Sequence, residues 1–224
     1  MRRFLTLLLC GASFSLLAQT SDLGMWNTFS FNKDLAKKFT FNFDQELRLR
    51  NNLSTLNLIY TNIGLTWKVN KTLRIAGVYR FIDKYKDDET WGVRHRIYTD
   101  FIFRFKPDNF TINYRARFQS EWRSWGYAAE FGNIPEMYLR NLLKVSYKIN
   151  DHISPYVGME ARWQIENPRI VYHDGFDRIR FFAGVDYNIN NSNTVGLYFL
   201  NQIEWNIVDP ETLYIIGIEY SISL

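Results

Sequence analysis

The sequence predicts an all-β fold, an antiparallel up-and-down transmembrane β-barrel of about ten to twelve strands, and three observations predict it. The 224 residues are 46% hydrophobic and 17% aromatic, with 18 Phe, 14 Tyr, 7 Trp and only 5 Pro, a composition that favours strands and supplies rings for a lipid boundary. Apolar and polar residues alternate over runs longer than the roughly 9 to 11 residues that a tilted membrane strand needs. Tight turns alternate with longer loops, the asymmetry of outer-membrane barrels. With 22% charged residues and a mean hydropathy of −0.27, the chain is neither disordered nor collagen-like, and it is not a helical membrane protein.

Residues 1–18 have the pattern of a secretory signal peptide. Arg2 and Arg3 precede an apolar run over 4–17, and Ala18-Gln19 supplies the cleavage point. Leu16 stands where such a site usually has a small residue. Cys10 raises a lipoprotein anchor as a rival, but Leu9 precedes it instead of a small residue and the apolar run continues past it. Cleavage leaves one barrel domain, 19–224, without the single cysteine, and loss of Arg2 and Arg3 takes the net charge from +4 to about +2. No disulfide, thiol-based metal site or cofactor is expected.

The first strand of the barrel pattern, 39–50, places Phe39, Phe41, Phe43, Leu47 and Leu49 on one face and Thr40, Asn42, Asp44, Glu46, Arg48 and Arg50 on the other. The same alternation predicts strands near 55–69, 72–84, 91–106, 109–122, 136–149, 153–165, 176–189, 194–206 and 211–224. Tight turns fall at Asn70-Lys71, Pro107-Asp108, Asn150-Asp151-His152 and 190–193, and longer connections at 85–90, 123–135, 166–175 and 207–210. Ten such strands put both ends of the barrel on the short-turn side, the usual bacterial arrangement. Segment 25–31 is a further candidate that enters the lumen, pairs at the seam or marks a missed strand.

A hairpin about Pro107-Asp108 sets Phe105 opposite Phe110, Phe103 opposite Ile112, Phe101 opposite Tyr114 and Ile97 opposite Phe118 toward lipid. Inside, it pairs Asp100 with Arg115 and Arg94 with Glu121. The hairpin about 190–193 pairs Arg180 with Glu204 inside, and Val185 with Phe199 and Phe181 with Ile203 outside. With Arg96 and Arg117 also inward, the lumen carries a basic excess that attracts anions. Ion pairs that simply fill a narrow barrel are the plainer explanation of the same charges.

Trp67, Trp91, Trp122, Trp163 and Trp205 fall near strand ends on the outward face and form an interfacial girdle. A stacking platform for glycans or bases would gather such rings on one surface, so no nucleic acid partner is expected. The same hairpin register sets His95 opposite Ser120 on the lipid wall, the one Ser/His pair that could serve a lipid hydrolase or acyltransferase. No Gly-x-Ser-x-Gly elbow supports it. His152, in a tight turn, and His173, in a loop, lack the spacing of a metal pair. Acids beside Arg are more often structural than catalytic. Arg123-Ser124-Trp125-Gly126-Tyr127 opens the longest loop, a place for a surface partner or a lid.

Several stretches carry a family resemblance. They are Gly24-Met25-Trp26-Asn27, Lys37-Lys38-Phe39-Thr40-Phe41 leading to Glu46-Leu47-Arg48, Asn70-Lys71-Thr72-Leu73-Arg74 followed by Gly77-Val78-Tyr79-Arg80-Phe81, and Arg94-His95-Arg96. In these the chain resembles the outer-membrane proteins of domain of unknown function family 2490. The resemblance implies a barrel in the outer membrane of a Gram-negative bacterium and assigns no catalytic residue. The functional expectation is a narrow pore for small anionic solutes or a closed structural barrel. A lipid-modifying enzyme and an adhesin or receptor using its long loops are the alternatives.

Overall fold

A computed structural model describes residues 20–85, 90–123, 134–168, 175–207 and 209–224. The signal segment, Cys10, and most of loops 85–90, 123–135 and 166–175, including His173, lie outside them. Eleven strands are described: β1 (Thr20–Ala36), β2 (Phe39–Arg50), β3 (Thr55–Lys68), β4 (Leu73–Tyr85), β5 (Trp91–Phe105), β6 (Phe110–Arg123), β7 (Glu136–Tyr147), β8 (Ile153–Glu166), β9 (Gly175–Asn188), β10 (Asn193–Glu204) and β11 (Glu211–Ser223). Each pairs antiparallel with its sequence neighbour, and β1 closes the barrel against β11. The ten strands expected from alternation are present with ends moved by a residue or two.

Closure decides among the expected roles of segment 25–31 in favour of the seam, and it corrects the expectation that both ends of the barrel lie on the short-turn side. Segment 25–31 belongs to β1, which pairs parallel to β11 from Thr20 beside Glu211 to Asn32 beside Ser223. β1 therefore starts at the long-loop rim while β11 ends at the short-turn rim, so the two ends do not share one side. An odd strand count permits closure only through such a parallel seam. The sequence of β1 suits it: Thr28, Ser30 and Asn32 alternate with Phe29 and Phe31, and Phe29 faces outward against Tyr220 of β11.

The second correction concerns register. Both hairpins analysed above are shifted by two residues, which leaves every side chain on its expected face but changes its partner. Asp100 lies opposite Arg117, Arg96 opposite Glu121, Phe103 opposite Tyr114 and Ile97 opposite Ser120. The reversal centres on Asp108-Asn109, with Phe110 N–H donating to the Pro107 carbonyl at 2.9 Å. Asp108 adopts a φ of 47°. Turns that match strand twist need a positive φ at their first tip position, which Asp tolerates and the proline ring forbids.

In the other hairpin Arg180 lies opposite Gln202, Arg178 opposite Glu204, Val185 opposite Leu197 and Phe199 opposite Ala183. There the Asn190 carboxamide oxygen accepts from the backbone N–H of Ser192 and Asn193 at 2.9 and 2.8 Å. This clamp centres the turn earlier than a symmetric four-residue loop would. Asn70 and Asn150 close their turns in the same way. In the Asn150 turn, the hydrogen bond and charge of Lys148, 2.6 Å away, hold the Asp151 carboxyl below its usual value.

Inward glycines admit neighbouring rings. A Cβ on Gly217 would lie 1.9 Å from the Tyr198 ring, and one on Gly184 would lie 2.7 Å from the Tyr156 ring. These tyrosines lie across the wall where the strand opposite has no side chain.

In a Cys10→Ser background, cysteines placed at Asn27 and Ile218, which are seam partners, are expected to cross-link in the folded barrel. Cysteines at Asn27 and Tyr214 are not. Non-reducing gels distinguish the two, and the reverse pattern would exclude this seam.

Candidate functional site in the lumen

Alternation along eleven strands fills the barrel with charged and aromatic side chains. The Asp100 carboxylate accepts two hydrogen bonds from Arg117, at 2.6 and 2.7 Å. Glu121 is shared by Arg94, at 3.0 Å, and Arg96. Glu46 takes Arg48, and Glu204 takes Arg178. The expected pairs Asp100 with Arg115 and Arg180 with Glu204 are thus replaced, while Arg94 reaches Glu121 along the diagonal. Arg115 instead reaches Glu160 at 2.5 Å, across β7, and Arg180 reaches the same carboxylate at 3.0 Å.

Several lumenal cations also lie over rings. The guanidinium carbons of Arg48, Arg80 and Arg117 sit 3.6, 3.6 and 3.8 Å from the ring centroids of Trp26, Tyr60 and Tyr98. The Lys144 ammonium sits 3.5 Å from that of Tyr156. A desolvated cation gains more from a ring face than an exposed one does, so these stacks offset part of the cost of enclosing so much charge.

Two carboxylates escaped the sequence reading. Strict alternation points Asp177 outward, but a register shift between Arg162 and Trp163 turns it in. There it is 1% exposed and accepts a two-point hydrogen bond from Arg162 at 2.8 Å. Glu136 opens β7, where periodicity is too short to assign a face, and it pairs with Arg123 at 2.8 Å. Trp26 was also missed as a lumenal ring, because the seven-residue segment around it left its partner strand unspecified.

Among the described residues, two cavities in the lumen share Trp26, Arg48 and Arg180 as lining residues. The upper, toward the long-loop rim, has a volume of about 470 Å³ and is bordered by Lys84, Arg94, Glu136 and Glu204. The lower, toward the short turns, has about 370 Å³. Arg48, Arg80, Arg115, Arg117, Arg140, Lys144 and Arg180 line it against the carboxylates of Asp44, Glu160 and Glu219.

On the lipid face His95 and Ser120 are not brought together. His95 lies opposite Phe81 and Trp122, and Ser120 opposite Ile97 and Met137. That leaves His95 and Ser120 diagonal neighbours about 7–8 Å apart, beyond proton-transfer reach. His95 Nδ1 instead shares a 2.7 Å hydrogen bond with the Tyr79 hydroxyl. Thr61 donates to Gln45, and Tyr114 to Asn141, on the same outer face at 2.7 Å each. In these pairs polar groups on the outer face are satisfied by one another. His152 stacks on Tyr187 and hydrogen-bonds the Asn188 carbonyl. Among the described residues no group of three potential metal ligands converges.

Trp91, Trp122 and Trp163 gather at the long-loop ends of their strands and Trp67 at the short-turn end of β3. Trp205 follows β10, its N–H donating to the Asp177 carbonyl at 3.1 Å. Trp67, Trp91 and Trp163 are exposed. At the short-turn rim Phe110 and Tyr147 pack together, centroids 4.9 Å apart.

Closed strand order, an apolar outer belt and a charged interior define a β-barrel of the outer-membrane type. Solved barrels share the fold. LpxR from Salmonella typhimurium superposes with a TM-score of 0.56 at 6% identity, covering 87% of each chain. The NanC porin gives 0.54 at 11% identity, covering 91% of this chain and 99% of that one. The beta domain of the Bordetella autotransporter BrkA gives 0.51 at 10% identity, covering 84% and 85%. An uncharacterized protein of Methylorubrum extorquens is 23% identical over 159 residues, 69% of this chain and 67% of the relative. The chain belongs to the protein family of unknown function DUF2490, whose model matches residues 23–212.

Glu160→Gln keeps the side-chain shape but leaves three guanidiniums without their shared carboxylate. Removing one member of a buried ion cluster costs about 3 kcal/mol, and urea unfolding of the detergent-folded barrel is expected to show a loss of that size.

Proposed function

We propose that the protein is exported by its N-terminal segment to the outer membrane of a Gram-negative bacterium, where one barrel domain passes small solutes with a preference for anions. The observation that carries this reading is the cationic lower cavity meeting the upper one at Trp26, Arg48 and Arg180. A low-dielectric wall lined with an excess of guanidinium concentrates anions along the path.

Charge at the short-turn mouth is divided across the barrel. Asp44 on β2, Asp186 on β9 and Glu219 on β11 mark one wall, and Arg74 on β4 and Arg104 on β5 the other. An anion entering there follows the β4–β5 wall. A second reading has a specific support: the Arg48 guanidinium stacked on Trp26 bridges the two cavities. If that contact holds permanently, the protein is a closed structural barrel with outer-membrane lipid as its partner.

Single-channel recording in a planar bilayer under a salt gradient separates the two. The pore predicts stable steps with an anion-selective reversal potential, a larger conductance for Trp26→Ala and weaker anion selectivity for Arg48→Gln. A folded wild-type barrel that is silent would favour the closed reading.

A further inference from the structure

We propose that the lower cavity is a binding site for a small oxyanion, phosphate or a short dicarboxylate, held by Arg80, Arg115 and Arg140. The proposal deepens the anion-pore reading and rests on it for the route by which the ion enters.

Several lumenal cations have a carboxylate of their own, as Arg117 has Asp100 and Arg162 has Asp177. Around the lower cavity the matching fails. Glu160 is a single buried carboxylate for three guanidiniums, those of Arg115, Arg140 and Arg180. Arg80 is itself buried, and among the described residues it forms no ion pair. Its Nε donates to the Asn62 carboxamide oxygen at 2.6 Å, and its guanidinium lies over the Tyr60 ring. Asn62 stands between it and Asp44, donating to that carboxylate at 2.9 Å. The Nε atoms of Arg115 and Arg140 are buried without a hydrogen-bond partner among the described residues.

A guanidinium does not shed its proton at physiological pH, so buried excess charge is stable only opposite an anion. Arg48, Arg117 and Lys144 have carboxylates of their own in Glu46, Asp100 and Asp186, which leaves Arg80, Arg115, Arg140 and Arg180 against Asp44, Glu160 and Glu219, an excess of positive charge. That excess, with the Nε atoms of Arg115 and Arg140 still unpartnered among the described residues, calls for an anion that can accept several hydrogen bonds. The planar fork of Arg matches the paired oxygens of phosphate or carboxylate, a geometry that chloride does not offer.

The test is calorimetric titration of the detergent-folded wild-type barrel with inorganic phosphate, and separately with succinate, against a chloride background. Saturable binding of either ion is expected, and which of them binds identifies the oxyanion. Arg80→Gln, which strands no carboxylate, is expected to weaken binding about ten-fold or more, the loss of a charge-assisted hydrogen bond. Arg80→Lys keeps the charge without the fork and is expected to weaken it less, and it serves as the test if Arg80→Gln fails to fold. Lys71→Gln in an exposed turn should leave binding unchanged. No saturable binding of either ion, or full affinity in the folded Arg80 variants, would overturn the site. Phosphate or succinate bound by a barrel that is silent in bilayers would keep the site and remove transport. Anion-selective conductance without saturable binding would remove the site and keep the pore.

Discussion

Hydrocarbon offers backbone N–H and C=O groups no partner, so a strand that crosses it must be paired on both edges. The rest of the structure depends on this constraint. It forces closure, and here closure runs through a parallel ladder between β1 and β11. Once the sheet is closed, alternate side chains have only two destinations, lipid or lumen. The outward residues are mostly apolar, and some of the polar ones satisfy one another, as Tyr79 does with His95.

The inward residues meet the opposite problem, because a narrow interior removes much of the water from a dense set of charges. Two devices answer it. Carboxylates receive two-point or shared hydrogen bonds from Arg, and aromatic rings take the remaining faces of the cations, with Tyr198 and Tyr156 lying across Gly217 and Gly184 to leave room. The match is least complete around Glu160 and Arg80, beside the lower cavity. The same imbalance that costs stability there gives the interior its attraction for anions.

Fold class, strand positions and the face of nearly every residue were legible in the sequence, because period-two alternation is long and clean from Phe39 onward. Partners were less so, since a two-residue slip preserves alternation and only turn chemistry sets the centre. Asp108 and Asn190 carried that information, through a positive φ in one and a side-chain clamp in the other. The role of β1 was hidden because its parallel partner lies at the far end of the chain. Asp177 was lost to a bulge, which periodicity does not reveal. The lumenal girdle of tyrosines was readable in principle, as Tyr60, Tyr98, Tyr138, Tyr156 and Tyr198 all fall on the charged face.

One face of every strand thus meets lipid and the other a charged interior that water reaches through the cavities. Spin labels placed singly along β5 at Phe101, Ile102, Phe103, Arg104 and Phe105, in the barrel reconstituted in liposomes, test it most directly. Accessibility to oxygen, which partitions into lipid, should peak at 101, 103 and 105, and accessibility to a water-soluble nickel chelate at 102 and 104. Uniform exposure to the chelate, or alternation in the opposite phase, would contradict the account.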